Sequence, residues 1–249
     1  MIKKLTIIAL SALFLQSCAS SVNTQNMSPE EHLNYAMSIF NDEDYIGATA
    51  AFQTLLLQYP GSAVSDDAQY YLAESHFRKK EYILAAYEYS RLIKDMPASE
   101  FVPKAQYMLA ESYFQLSPNF QLDQKYTRKS IEEFQAFIDF FPADEKVKDA
   151  ESKIQQLNDK LAQKEFNTAH IYERMELNEA AIFYYDVVTN TYHDSKYAPE
   201  ATYKKVSLYR DKKDMKNTLH EIDSYLQKYP NGPAAGELKK LQEKLLKGS

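Results

Sequence analysis

Residues 67–77 read DAQYYLAESHF, and 37 positions later residues 104–114 read KAQYMLAESYF. The identities are Ala68/Ala105, Gln69/Gln106, Tyr70/Tyr107, Leu72/Leu109, Ala73/Ala110, Glu74/Glu111, Ser75/Ser112 and Phe77/Phe114. Self-similarity at this period marks a stack of supersecondary units, none of which can bury its apolar face alone. The composition suits helical units: only 5 glycines in 249 residues leave little for tight hairpins or phosphate loops.

The second halves repeat as well. Each unit closes on an aromatic residue or Met followed by a breaker: Tyr59-Pro60, Met96-Pro97, Phe141-Pro142, Tyr192-His193 and Tyr229-Pro230. Proline has no N–H to donate and biases its predecessor away from helical geometry, so these are helix stops. Short charged turns such as NDEDY and RKKEY separate the halves, giving helix, turn, helix, stop. With the closing Pro at position 32 of a 34-residue frame, positions 8, 20 and 24 hold Ala36, Ala48 and Phe52 in the first unit. They hold Ala73, Ala85 and Tyr89 in the second, and Ala169, Ala181 and Tyr185 in the fourth. Small residues let two helix backbones approach, while the aromatic fills the space toward the next unit.

This pattern resembles the tetratricopeptide repeat. The expected fold is all-α, a solenoid of five helix-turn-helix units at 29–62, 66–99, 103–144, 162–195 and 199–232, plus a capping helix at 234–247 with Leu238, Leu241 and Leu245 at helical spacing. The pattern departs from that repeat in lacking Trp throughout, in an insertion at 117–126, and in Val206 and Thr218 at the small positions of the fifth unit. Residues 145–161 keep helical periodicity through Val147, Ala150, Ile154, Leu157 and Leu161, so the first helix of unit four is expected to be long. The expected organisation is a signal peptide at 1–17, a lipidated Cys and tether at 18–28, repeats 1–3 at 29–144, and the long connecting helix, repeats 4–5 and cap at 145–247.

The chain starts with Lys3 and Lys4, then an apolar run of 11, Leu5 to Leu15. A membrane-spanning helix needs about 20 apolar residues, so this run has the shape of a signal peptide. Leu15-Gln16-Ser17-Cys18 resembles the lipobox of bacterial lipoproteins. That resemblance implies cleavage before Cys18, the only cysteine, and a covalent N-acyl and S-diacylglycerol lipid on it. The competing reading is an ordinary secretory signal with an incidental cysteine. Two acyl chains already anchor stably, so three would hold the chain to a membrane without a spanning helix. By lipoprotein sorting rules Ala19 and Ser20, with no Asp, favour the periplasmic face of the outer membrane.

Catalytic and cofactor chemistry is not indicated. The formal charge of -6 argues against nucleic acid as a partner. No Gly-rich phosphate loop occurs, and His32, His76, His170, His193 and His220 are scattered without metal-ligand spacing. Glu30-Glu31-His32 reads as a solvated first helical turn and Asp42-Glu43-Asp44 as helix capping. The chain is therefore expected to be no enzyme, to hold no metal or other cofactor, and to act by binding.

In tetratricopeptide arrays the first helix of each pair lines the concave face. Carried over by resemblance, the substrate-peptide groove comprises Met37, Phe40, Tyr70, Glu74, Phe77, Arg78, Lys104, Tyr107, Glu111 and Phe114. Such a groove suits an extended or amphipathic segment, with Arg78 or Lys104 available to a carboxylate. Any single aromatic there could equally serve the packing between repeats.

The lipoprotein-type start, the repeats, and the segment 158–188 with Leu161-Ala162, Glu165-Phe166, Ala169, Tyr172 and Arg174 are similar to the BamD family of the β-barrel assembly machinery. The resemblance implies that the C-terminal repeats dock on the periplasmic domains of the BamA-like, barrel-forming subunit. It also implies that the N-terminal repeats contact unfolded outer-membrane proteins. The rival readings are another lipid-anchored repeat adaptor, for pilus-secretin assembly or cell-wall coordination, and an enzyme or solute-binding protein in a helical shell.

Overall fold

The computed structural model describes residues 26–247; the signal segment, Cys18 and most of the tether lie outside the described residues. Eleven α-helices and no strand occur among them. They are α1 (Pro29–Asn41), α2 (Tyr45–Gln58), α3 (Ser65–Arg78), α4 (Tyr82–Asp95), α5 (Val102–Leu116), α6 (Lys125–Phe140), α7 (Val147–Arg174), α8 (Asn178–Thr191), α9 (Ala198–Asp211), α10 (Met215–Lys228) and α11 (Ala235–Lys247). No described helix is long and apolar enough to cross a membrane.

The stops are five copies of one turn. Tyr59, Met96, Phe141, Tyr192 and Tyr229 cap the second helices with φ between -116° and -132°. Their carbonyls accept from the N–H groups of Ser62, Ser99, Asp144, Ser195 and Gly232, whose carbonyls accept in turn from Ser65, Val102, Val147, Ala198 and Ala235. Tyr192 makes this turn ahead of His193 rather than Pro, because the geometry requires only that the preceding residue leave the helical region.

The turns inside units one, two, four and five share another geometry. Glu43, Lys80, Glu176 and Lys213 sit at φ of 58° to 62°, the left-handed region. Around Lys80, its own N–H reaches the Phe77 carbonyl and the Glu81 N–H reaches the His76 carbonyl, a Schellman closure of α3. The acidic run at 42–44 works in such a turn: Glu43 takes the left-handed position and Asp44 caps α2 by accepting from the Gly47 N–H at 2.9 Å. Unit three has no such turn because residues 117–124 intervene between α5 and α6.

The small positions are fully buried. Ala36, Ala48, Ala73, Ala85, Ala169 and Ala181 are all closed to solvent, as are Ala110 and Ser130 in unit three, where the Ser130 hydroxyl donates to the Ala110 carbonyl. Val206 and Thr218 occupy the same places in unit five without preventing α9 from packing on α10. Position 24 carries Phe52, Tyr89, Phe134 and Tyr185, all fully buried; burial of side chains of this size contributes roughly 1.5–3 kcal/mol each. Five apolar clusters follow one another along the chain. Every substantial helix contact joins consecutive helices, apart from a small one between α1 and α3. The described chain is thus a linear tetratricopeptide-type solenoid, closed by α11 laying Leu238 on Val206, Ile222 and Tyr225.

One sequence expectation is corrected at the start of α1. Ser28 and Glu31 form a reciprocal capping box, and Glu30 and Glu31 are exposed, but His32 is fully buried between the rings of Tyr35 and Tyr59. It falls one turn before Ala36, on the stripe that faces α2, so packing rather than solvation decides its place.

Candidate functional site

The residues expected to line the first-helix groove fall into three groups. In unit one, Phe40 and Met37 are half-buried, and the Phe40 ring meets Tyr45, Phe52 and Tyr71 at 5.4, 6.4 and 5.3 Å. Phe40 therefore belongs to the joint between units one and two as well as to the surface.

The second group spans units two and three. Tyr70 stacks on Phe101 at 4.7 Å and tilts against Tyr89 at 5.9 Å. Burial, followed by the nearby Glu74 charge, pushes its phenol up to about 12. Glu74 is nearly closed to solvent and accepts from the Tyr89 hydroxyl at 2.7 Å and from Arg78 Nε at 2.8 Å. Arg78 is exposed over half its side chain, with Tyr45 beside its guanidinium as a second partner. Phe77 is half-buried against Tyr82, and exposed Lys104 holds its ammonium 5.8 Å from the Phe101 ring. Rings with two exposed cations at their edge match an apolar segment carrying a carboxylate.

The third group is occupied by the chain itself. Tyr107 is 5 % exposed, and α7 lays Lys153 over it. The Lys153 ammonium donates to the Tyr107 hydroxyl at 2.8 Å, pairs with Glu111 at 2.5 Å and Asp149 at 3.1 Å, and lies 5.5 and 5.7 Å from the Phe114 and Phe134 rings. Burial opposes its charge, but the bonds to Glu111 and Tyr107 outweigh burial and hold its pKa above the usual lysine value. Tyr107 is pushed up to about 12, by burial first and then by donating to Asp149. Tyr107, Glu111 and Phe114 thus surround an internal lysine, and the open part of the face lies in units one and two and at Lys104.

Sequence reasoning missed Lys153, although a signal was present: it sits between Ala150 and Leu157 on the apolar stripe of α7, where a lysine is out of place. Lys205 is a second case, 5 % exposed and bridging Asp186 and Glu221 at 2.6 and 2.8 Å between units four and five. The inserted segment is also tied to α7. Lys160 donates to the Ser117 hydroxyl and Lys164 to the Leu122 carbonyl, while buried Gln124 donates to the carbonyls of Asn119 and Leu122.

Among solved structures, the chain is similar to a tetratricopeptide-repeat protein from Bacteroides fragilis, at 15 % identity and a TM-score of 0.48 over 89 % of this chain and 99 % of that one. It is similar to the TPR2AB domain of yeast Sti1 in its pHSP90 complex, at 12 % identity and a TM-score of 0.45 over 88 % and 84 % of the two chains. No curated protein matches the sequence. Residues 25–212, well over half the chain, match the family model YfiO, described as outer membrane lipoprotein. Five stacked helical hairpins behind a lipobox-like start fit that description, and the chain belongs to the YfiO family of outer membrane lipoproteins.

Proposed function

We propose that this protein is a non-catalytic adaptor of β-barrel assembly, held to the periplasmic face of the outer membrane by lipid on Cys18. Units one and two take the C-terminal segments of unfolded outer-membrane proteins, and the C-terminal repeats dock on the periplasmic domains of the BamA-like subunit. The observation that carries the reading is the family match over residues 25–212. The free surface of the second group gives it a mechanism. The periplasm supplies no ATP, so the work must come from binding: rings at Phe40, Phe77 and Tyr70 cover apolar side chains, and Arg78 or Lys104 receives the terminal carboxylate.

Binding of a fluorescent ten-residue peptide ending in phenylalanine tests this. A charge-assisted hydrogen bond contributes about 1.5–3 kcal/mol, so amidating the peptide's C-terminus, or making Arg78→Ala with Lys104→Ala, should weaken binding about tenfold or more. Phe40→Ala with Phe77→Ala should weaken it while the helical circular dichroism stays unchanged. Equal affinity of the free-acid and amidated peptides would remove the groove from the reading.

A further inference from the structure

The five stop turns place one residue in the same role five times. Five positions after each capping residue stand Val64, Phe101, Lys146, Tyr197 and Ala234, and each carbonyl accepts the first bond of the helix that follows. Each of the first four packs with the fifth residue of the unit that has just closed, counted from 29, 66, 103 and 162. Val64 joins Leu33 in one apolar cluster, Phe101 stacks on Tyr70 at 4.7 Å, the Lys146 ammonium lies 4.8 Å from the Tyr107 ring centre, and Tyr197 packs on Phe166 at 5.6 Å. In unit five the covered residue is Tyr203 and the covering residue is Ala234, which is too short to reach across it.

A cavity of about 610 Å³ occupies that place, with Tyr203, Tyr225, Pro199 and Ala234 in its walls. Two carboxylates, Glu200 and Glu237, stand at it with one cation, Lys196, whose ammonium is 5.4 Å from the ring of Tyr197. Unit three shows what completes such a site. There the Tyr107 hydroxyl donates to Asp149, three residues after the covering Lys146; Lys146 and Lys153 both hold their charges over the ring, and Lys153 pairs with Asp149 where unit five has Leu241. In unit five the Tyr203 hydroxyl donates to Glu237 at 2.9 Å, again three residues after the covering position. Tyrosine and carboxylate repeat; the cation does not. Unit two, where an aromatic ring covers the tyrosine, has Lys104 in the carboxylate's place. Units one and four carry Asp67 and Glu200 there under Val64 and Tyr197, but over Leu33 and Phe166, which have no hydroxyl to donate, so only units three and five join a covered tyrosine to a carboxylate.

We propose that the cavity between α9 and α11 receives a lysine or arginine side chain from a partner polypeptide. The cation lies over Tyr203 as Lys146 lies over Tyr107, and pairs with Glu237 and Glu200. The site is separate from the face in units one and two and does not depend on the function proposed for it.

The test uses the full-length protein and a fluorescent, end-blocked pentapeptide, Gly-Ser-Arg-Ser-Gly, read by anisotropy, beside versions with neutral citrulline or with phenylalanine at the centre. The arginine peptide should bind at least tenfold more tightly than the citrulline peptide, and Glu237→Gln should remove most of that preference. Ala234→Lys, which supplies the missing cover from within, should abolish binding and raise Tm, while leaving the phenylalanine-ended peptide's affinity for units one and two unchanged. Glu237 is exposed, so its variant keeps the test decisive if Ala234→Lys does not fold. Equal binding of the arginine and citrulline peptides, preference for the phenylalanine version, no binding at millimolar peptide, or indifference to Glu237→Gln would each overturn the proposal.

Discussion

Lys153 offers the sharpest test of how α7 is held to unit three. The Lys153→Met substitution keeps the apolar stem over Tyr107, Phe114 and Phe134 but removes the charge that Glu111 and Asp149 share. The side chains of Lys153 and Glu111 are 18 % and 13 % exposed. Breaking a buried pair by removing one partner costs roughly 3–5 kcal/mol, because the other charge stays desolvated. Asp149 is half-exposed and can turn to water, which lowers the expectation to about 2–4 kcal/mol. If the orphaned Glu111 is the cause, Glu111→Gln added to Lys153→Met should restore about 1–2 kcal/mol of that loss. Urea is the denaturant of choice, since guanidinium would screen the pair. The pair also has a pH signature. Donation from Tyr107, with help from Lys153, holds the Asp149 carboxyl below its ordinary value. Its contribution is present above the unfolded carboxylate value of about 4 and is lost as pH falls through the depressed one, so the Lys153→Met variant should show a shallower acid dependence there. A loss below about 0.5 kcal/mol for Lys153→Met, or additive single changes in the double variant, would refute the argument.

Other perturbations test the repeat frame and its turns. Ala73→Leu, at a position closed to solvent against α4, should destabilise by roughly 1–3 kcal/mol through overpacking; an unchanged urea midpoint would displace the frame. Lys80 at φ 62° carries a left-handed cost of about 1–2 kcal/mol, partly offset in glycine by about 0.5–1 kcal/mol of chain entropy. Lys80→Gly should therefore stabilise by roughly 0.5–1 kcal/mol, and a lower Tm would count against the strain argument. Burial lowers the His32 pKa and outweighs the opposing bond from Gln58, so the unfolded chain takes up the proton first. Stability should fall as pH drops below about 6.5, and His32→Phe should flatten that slope in pH-dependent melting. Cys18→Ala should release the protein from the membrane fraction; persistence there would contradict the lipid anchor.

The parts of this fold that could be read in advance are those fixed by a local, repeating demand. Two helices can approach closely only over small side chains, so Ala36, Ala73 and Ala169 announce themselves by residue type at constant spacing. Leaving a helix leaves a similar trace at Tyr59-Pro60 and its counterparts. The groove residues were harder because one spacing serves two purposes. Phe40 and Tyr70 occupy positions from which a ring can face a ligand or the next repeat, and in the structure they touch neighbouring units. Lys153 and His32 were missed because chemical type was weighed above position: each is polar, and each lies on a buried stripe. Where periodicity and polarity disagree, the periodicity locates the side chain, and the polarity then states what its neighbours must supply.

The same lesson bears on the solenoid as a working part. Substantial contacts run almost wholly between consecutive helices, so stability approximates a sum of unit and nearest-neighbour terms. A change at Ala234 should be felt in units four and five and little at Arg78. Independent surfaces can then coexist on one chain, provided that something holds the two halves in a fixed relation. The internal ion pairs sit where that demand is greatest: Lys153 fastens α7 to unit three, and Lys205 fastens unit five to unit four. Hydrophobic residues at those two places would hold the helices together equally well. Carboxylate partners on neighbouring helices add a choice of register: sliding α9 by one turn takes Lys205 from both Asp186 and Glu221, and sliding α7 takes Lys153 from Glu111.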